Sequence, residues 1–246
     1  MVCRPNRTSV LALACLFALL AGFPVAAQNV SIDFGDQGSL TLRTVQLFTV
    51  ITVLSLAPGL AIMITCFPFM VTVFSILRQA IGLQQAPPNM MIVSLALFLT
   101  YFVMEPVARE AWALGVEPLI DGTVSPEQAF ANGFEPFRAF MMNRVDADTM
   151  TTLSALREQT GQPLEKPGNS VLVPAFMLSE IQRAFEVGFL VFLPFLIIDL
   201  VVAAILMSMG MMMVPPAIVS LPFKLAFFVV ADGWGLLSGA LVKSYF

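Results

Sequence analysis

The chain has 246 residues, of which 58% are hydrophobic and only 11% are charged, with a formal net charge of −4. Soluble globular proteins typically carry about 25% charged residues, so this composition excludes an ordinary soluble domain and indicates a membrane protein. The sequence contains no histidine, which excludes Ser-His-Asp and Cys-His catalysis and most zinc sites. It also lacks the glycine motifs that bind nucleotides. We therefore expect no enzymatic activity and no cofactor.

Residues 1–27 have the three parts of a cleavable secretory signal peptide. Two arginines near the start are followed by an apolar segment at 9–23 and by a small-residue cleavage site, VAA, at 25–27. We predict that the mature chain starts at Gln28. The alternative is an uncleaved anchor helix, although the apolar run is short for a span of about 20 residues. Cleavage leaves Cys66 as the one cysteine of the mature chain, which excludes an intrachain disulfide. A lone cysteine in an apolar run is typically a small buried side chain.

Four later segments are almost free of ionisable residues. Because runs of roughly 20 apolar residues suffice to cross a bilayer, we predict four apolar helices. They lie at about 45–77, 89–107, 174–207 and 213–241. Prolines are expected to break the longer ones, and the candidate breaks are Pro58, Pro68 and Pro194.

The predicted fold is an all-α membrane protein whose four long apolar helices form two hairpins. A signal peptide directs the mature N-terminus outward, so the first hairpin, at 28–107, returns the chain to the outside. The polar region at 108–173 is then a helical periplasmic domain. The second hairpin occupies 174–246.

Within the polar region, Ser125-Pro126-Glu127-Gln128 is a capping-box pattern that predicts the start of a helix. A second helix is predicted from about 147 to 159. Asp146 and Asp148 stand at its start, where a solvated cap is the favoured interpretation over catalysis. The apolar face of the first helix is predicted to contain Phe130, Phe134, Phe137 and Met141.

Two charges stand in strongly apolar sequence, Asp199 in FLIIDLVVAAIL and Lys224 in SLPFKLAFFVV. An ionised side chain at bilayer depth costs about 2.5–3.5 kcal/mol, so each should face protein or water. They can pair with each other, and Asp232 is a second candidate partner for Lys224. A structural ion pair is the favoured interpretation, and the alternatives are a proton or ion relay and snorkelling to the interface.

The segment MGMMMVPPAIVSLPFKL, at 209–225, places three consecutive methionines beside a double proline. The residue before a proline is pushed out of helical geometry, and prolines supply no amide proton. The chain is therefore predicted to leave the third helix as a turn near Gly210 that displays the methionines. Unbranched thioether side chains fill irregular gaps and rearrange readily. From these residues alone, packing in a core or against lipid is the simplest interpretation.

Three long motifs resemble the FliP family of flagellar type III export-gate proteins. The first is LVPAFMLSEIQRAFEVGFLVFLPFLIIDLVVAAILMSMGMMMVPPAIVSLPFKLAFFVVADGW, at 172–234. The second is LRQAIGLQQAPPNMMIVSLALFLTYFVM, at 77–104, and the third is FEPFRAFM, at 134–141. The SctR proteins of virulence secretion systems are close relatives, but the cleavable signal and the MVPP motif favour the flagellar branch.

This resemblance implies a pore-forming subunit that assembles as a pentameric ring with FliQ and FliR, near FlhA and FlhB. By the same resemblance, the ring is expected in the bacterial inner membrane, within the flagellar basal body, where it passes unfolded flagellar proteins. It also implies that apolar segments can be buried against neighbouring subunits instead of lipid. The implied methionine gasket is Met211, Met212 and Met213. The implied loop-shaping residues are Gly210, Pro215 and Pro216, and the implied buried charges are Asp199 and Lys224.

Two other functions fit parts of the sequence. A small-ion or solute transporter would account for broken apolar helices and for Asp199, although no inverted repeat is visible. A purely structural membrane scaffold for a secretion apparatus would require no role for the methionines.

Overall fold

Every described element of the chain is helical, which confirms the all-α class for this part of the protein. The predicted signal peptide lies outside the described residues. The computed structural model describes residues 40–83, 87–156, 168–211 and 213–246.

The chain divides into two compact units, Met1–Thr52 and Val53–Phe246. Helix α1 spans Leu40–Met63. Its beginning, as far as Thr52, is the described part of the first unit. There, the hydroxyl of Thr49 donates to the carbonyl of Val45 at 2.8 Å. Thr49 thereby satisfies its polar group within its own helix, as a residue in an apolar environment must.

The apolar helix predicted at 45–77 is in fact two helices, since α1 ends at Met63 and α2 spans Phe67–Ile81. The predicted break at Pro68 is confirmed, because this proline lies in the first turn of α2, where no amide proton is needed. The predicted break at Pro58 is wrong, since this residue lies inside α1. A proline removes one hydrogen bond but need not end a helix.

Helix α3 spans Asn89–Ala111 and continues through a π-helical turn, Trp112–Val116, into the short helix α4, Glu117–Ile120. The predicted end at 107 is therefore too early. Charged residues end the apolar run there, but they do not end the helix.

The polar region contains α5, Pro126–Arg144, and α6, Ala147–Leu156. The predicted capping box is confirmed: the amide of Gln128 donates to Ser125 Oγ at 3.3 Å, and the amide of Ser125 donates to the Gln128 side chain at 3.4 Å. Met141 is buried as predicted, but Phe130 is exposed. The predicted continuation of α6 to 159 lies outside the described residues.

Helix α7 is a single helix of 40 residues, Asn169–Ser208, so the predicted break at Pro194 is wrong. The helix predicted at 213–241 is instead α8, Pro216–Val230, followed by α9, Gly233–Lys243, at an angle of 60°. Asp232 forms the bend with a φ of 47°. Aspartate tolerates this left-handed conformation better than most residues with a Cβ, and Asp232-Gly233 is a dipeptide typical of turns, a signal that the single helix predicted at 213–241 does not include.

Helix α2 lies at the centre of the second unit, packed against α3 and α7. Its buried side chains include Phe69, Phe74 and Leu77, and Cys66 at its start is also buried, as predicted. The longer helices instead expose many apolar side chains. Three described helices are long and apolar enough to cross a membrane: α1, the α3–α4 run and α7, with the bent pair α8–α9 as a possible fourth.

Candidate functional site

The turn between α7 and α8 lies where the proline and glycine pattern places it. The chain leaves α7 at Met209, and Gly210 takes a φ of 75°, which favours glycine. The amide of Gly210 donates to the carbonyl of Met207, and the amide of Met211 donates to that of Leu206, both at 3.0 Å. These bonds cap the carbonyls that a helix end leaves open.

The two prolines begin the next helix: Pro215 is the N-cap of α8, and Pro216 is its first residue. Met213, just before them, is 97% exposed, and Met211 is 42% exposed. Met212 lies outside the described residues. We call residues 209–215 the methionine loop. Met213 is almost wholly uncovered by the rest of the described chain, whereas Met211 is partly covered.

An apolar groove runs between α7 and α8 on the approach to this loop. It encloses a cavity of ≈ 410 Å³. Its walls are wholly apolar, so it offers lipid or another apolar surface a place to pack. Its lining includes Val201, Ile205, Val219 and Phe223.

Asp199 and Lys224 lie next to each other, with Lys224 Nζ donating to Asp199 Oδ2 at 2.6 Å. The other carboxylate oxygen, Oδ1, accepts a hydrogen bond of 2.5 Å from the hydroxyl of Ser220. Lys224 Nζ also donates to the carbonyl of Ala80 at 3.1 Å. Asp232, the alternative partner, lies instead at the N-cap of α9.

This pair joins three helices, because Asp199 belongs to α7, Lys224 to α8 and Ala80 to the last turn of α2. A cation is favourable at a helix C-terminus, where carbonyls lack partners. With an axial rise of about 1.5 Å per residue, the pair lies on the order of 15 Å from the methionine loop. It therefore links the two helices on either side of the loop to each other and to α2.

A second buried charge, Glu180 in α7, was not singled out from the sequence. Its side chain is fully buried, and its Oε1 accepts from Arg144 Nε and from Arg183 Nη1, each at 3.2 Å. Its Oε2 accepts from the hydroxyl of Tyr245. We call these four residues the Glu180 cluster. Its partners satisfy a carboxylate whose burial alone would cost several kcal/mol.

Local sequence gives only a weak sign of the Glu180 cluster. Arg183 follows Glu180 at i,i+3 on one helix, a spacing that permits pairing. Arg144 and Tyr245 are 36 and 65 residues away along the chain. Burial, followed by the charge of Glu180, raises the pKa of Tyr245 above its ordinary value, so its hydroxyl remains a donor.

Asp146 caps α6, in agreement with the interpretation of this carboxylate as a helix cap. Its Oδ1 accepts from the amide of Thr149 at 2.9 Å and from the Thr149 hydroxyl at 3.0 Å. These hydrogen bonds lower the pKa of Asp146. In the described ranges, no group of His, Cys, Asp and Glu side chains could hold a metal ion.

The described helices, three of which are long and apolar enough to cross a bilayer, are those of a helical protein with candidate membrane spans. The FliP family profile matches residues 50–241. The chain belongs to the FliP family.

Curated relatives agree with this assignment. The chain is 49% identical to the flagellar biosynthetic protein FliP of Caulobacter vibrioides over 236 residues, which cover 95% of this chain and 88% of the relative. It is 49% identical to FliP of Rhizobium meliloti over 227 residues, 91% of each chain. It is 42% identical to FliP of Bacillus subtilis over 203 residues, 82% of this chain and 92% of the relative.

Proposed function

We propose that this protein is a pore-forming subunit of the flagellar type III export gate, which passes unfolded flagellar proteins across the bacterial inner membrane. The observation that carries this proposal is the methionine loop, with Met211 and Met213 exposed at the junction of two apolar helices. Membership in the FliP family, whose relatives are named for flagellar biosynthesis, supports the flagellar role.

In this proposal several copies form a ring, by resemblance a pentamer, and bring their methionine loops to one axis. Met211, Met212 and Met213 then form a gasket, and Gly210, Pro215 and Pro216 hold the loop that carries them. Apolar side chains that meet around an axis exclude water and ions. Thioether chains with three rotatable bonds can part around a moving polypeptide of any sequence and close again.

The proposed topology has two hairpins, α1–α3 and α7–α9, with residues 108–173 in the periplasm. The predicted signal peptide and the apolar character of α1, α3 and α7 support it. The exposed apolar side chains of these helices are covered by lipid, by copies of this chain, and by FliQ and FliR. FlhA and FlhB lie nearby in the basal body. The sequence carries no nucleotide-binding motif, so the energy for export comes, by resemblance, from a cytoplasmic ATPase and the proton-motive force.

Electron microscopy of the detergent-purified complex tests the proposal. A ring with the methionine loop on its axis is the expected result. A particle with no axial opening, or a ring with this loop on its outer surface, would contradict the pore and favour a transporter or a scaffold.

A further inference from the structure

The segment that follows α9, Ser244–Phe246, holds its middle residue inside the protein. Ser244 is exposed and Phe246 is 77% exposed, whereas Tyr245 is half-buried. The Tyr245 hydroxyl donates to Glu180, and its ring lies edge-on to Phe69 with centroids 5.7 Å apart. The ring also stacks on Phe140 at 6.0 Å. One side chain thus contacts α2, α5 and α7.

Arg144, the last residue of α5, holds the same segment in two places. Its Nη1 donates to the carbonyl of Ser244 at 2.7 Å, and its guanidinium carbon lies 4.0 Å from the centre of the Tyr245 ring. Its Nε donates to Glu180 at 3.2 Å. A planar guanidinium can bind a carboxylate, a carbonyl and an aromatic face together, which lysine cannot.

Helix α9 is held at its start by Trp234, whose ring lies against Phe74 and Phe228, and along its length by Leu237 and Val242, which pack against the core. Its one buried residue is Leu241, among eleven that span Gly233–Lys243. The contacts of Tyr245 and Arg144 add a polar and aromatic attachment to the apolar packing of Leu241 and Val242 at this end of the α8–α9 pair.

We propose that Ser244–Phe246 is a latch, in which Tyr245 inserts beside buried Glu180 and Arg144 closes over it. Tyr245 is then a positioning residue for the α8–α9 pair, which begins directly after the methionine loop. The latch depends only on contacts within the chain, and it holds whether or not the loop seals a pore.

The test is limited trypsin digestion of the full-length protein in detergent, in the assembly in which it purifies, followed by mass spectrometry. Cleavage after exposed Lys243 requires the latch to open. Tyr245→Phe removes only the hydroxyl, and we expect it to speed this cleavage by about tenfold or more, as the loss of a hydrogen bond to a charged group should. Tyr245→Ala should speed it further. Leu236→Ala, at an exposed residue of α9, is the control and should leave the rate unchanged; Phe246 is unsuitable because its ring lies edge-on to that of Phe102.

Cleavage after Arg109, in α3, is measured in the same digests and separates a local opening from a general loss of folding. The latch predicts faster cleavage after Lys243 alone. Unchanged cleavage after Lys243 in Tyr245→Phe, or equal acceleration at Arg109 and Lys243, overturns it.

Discussion

The side chain of Lys224 is only 6% exposed, whereas that of Asp199 is 38% exposed, so the two partners of this ion pair differ in their access to water. Asp199→Ala leaves a buried ammonium with the Ala80 carbonyl as its remaining acceptor in the described part of the chain. An unpaired buried charge costs about 3–5 kcal/mol. Lys224→Met leaves a carboxylate that can reach solvent. We therefore expect Asp199→Ala to lower the thermal unfolding midpoint more than Lys224→Met does. The rate of flagellar export should fall in the same order.

The double variant Asp199→Ala/Lys224→Met is the control for this prediction. It removes both charges, so it should be more stable than Asp199→Ala alone. A charge swap of the two residues should recover less stability than the double variant does, because a carboxylate at position 224 would face the carbonyl of Ala80. Normal motility and stability in both single variants would mean that the pair has no such role.

Asp146 makes a pH-dependent contribution to stability. Its pKa is lowered in the folded chain by bonds from Thr149, so its contribution is present above the unfolded pKa of about 3.9 and disappears as pH falls through the lower, folded value. Wild type should therefore unfold at a higher temperature than Asp146→Ala at neutral pH, and the difference should shrink below about pH 4. Asp148→Ala, at the neighbouring exposed residue, is the control. A difference that stays constant down to strongly acidic pH would contradict this assignment.

Among the helices, the π-helical turn and α5 cross with their backbones in contact at Gly115 and Gly133. A Cβ added at Gly115 would lie 2.8 Å from the carbonyl oxygen of Ala129 and 2.8 Å from the Cα of Gly133. Backbone cannot move aside as a side chain can, and overpacking of this kind costs about 1–3 kcal/mol. We expect Gly115→Ala to lower the unfolding midpoint of the detergent-purified protein.

Two other glycines serve as controls for this prediction. At Gly133 the nearest atoms to an added Cβ are 3.4 Å away, so Gly133→Ala should cost less. At Gly239 nothing lies within 4 Å, and alanine there should be neutral or stabilising, as its helix propensity predicts. Equal effects at Gly115 and Gly239 would show that close packing does not decide the outcome.

The sequence predicts helices better than it predicts their breaks. The starts of α3, α5 and α6 follow from local signals, such as the capping box at Ser125. Pro194 does not break α7, because a continuous helix keeps nearly all backbone groups bonded where water cannot reach them. The bend at Asp232 depends on how α8 and α9 pack, which no periodic pattern records.

In the candidate site too, local features can be predicted from the sequence, whereas long-range contacts cannot. Gly210 and Pro215 act on their own neighbours, so the turn at the methionines can be read from the sequence. The pairing of Asp199 with Lys224 follows from the cost of leaving either charge unpaired. Tyr245 and Arg144 reach Glu180 only through the fold, across large separations in the chain. The surroundings of the short helix α2 also cannot be read from its sequence, since an apolar helix can be buried by protein as well as by lipid.

At the scale of the whole molecule, the long helices and the methionine loop have different tasks in the proposed ring. The helices carry the apolar area that holds subunits together, whereas the loop contributes little packing within the chain, with Met213 almost fully exposed. Changes in the loop should therefore alter the seal and leave assembly intact.

Replacing Met211, Met212 and Met213 with alanine tests this separation. Alanine is too short to reach across an axial opening, so the resting ring should leak ions or small solutes while it still assembles. Tryptophan at the same positions should keep the seal but slow secretion, because a rigid ring lacks the freedom of a thioether chain to part around a moving polypeptide. Inner-membrane leakage and flagellar export are measured in the same cells, with Met207→Ala, at an exposed methionine in the last turn of α7, as the matched control. An intact triple-alanine ring with wild-type impermeability would show that these methionines are ordinary packing and that the seal lies elsewhere in the ring.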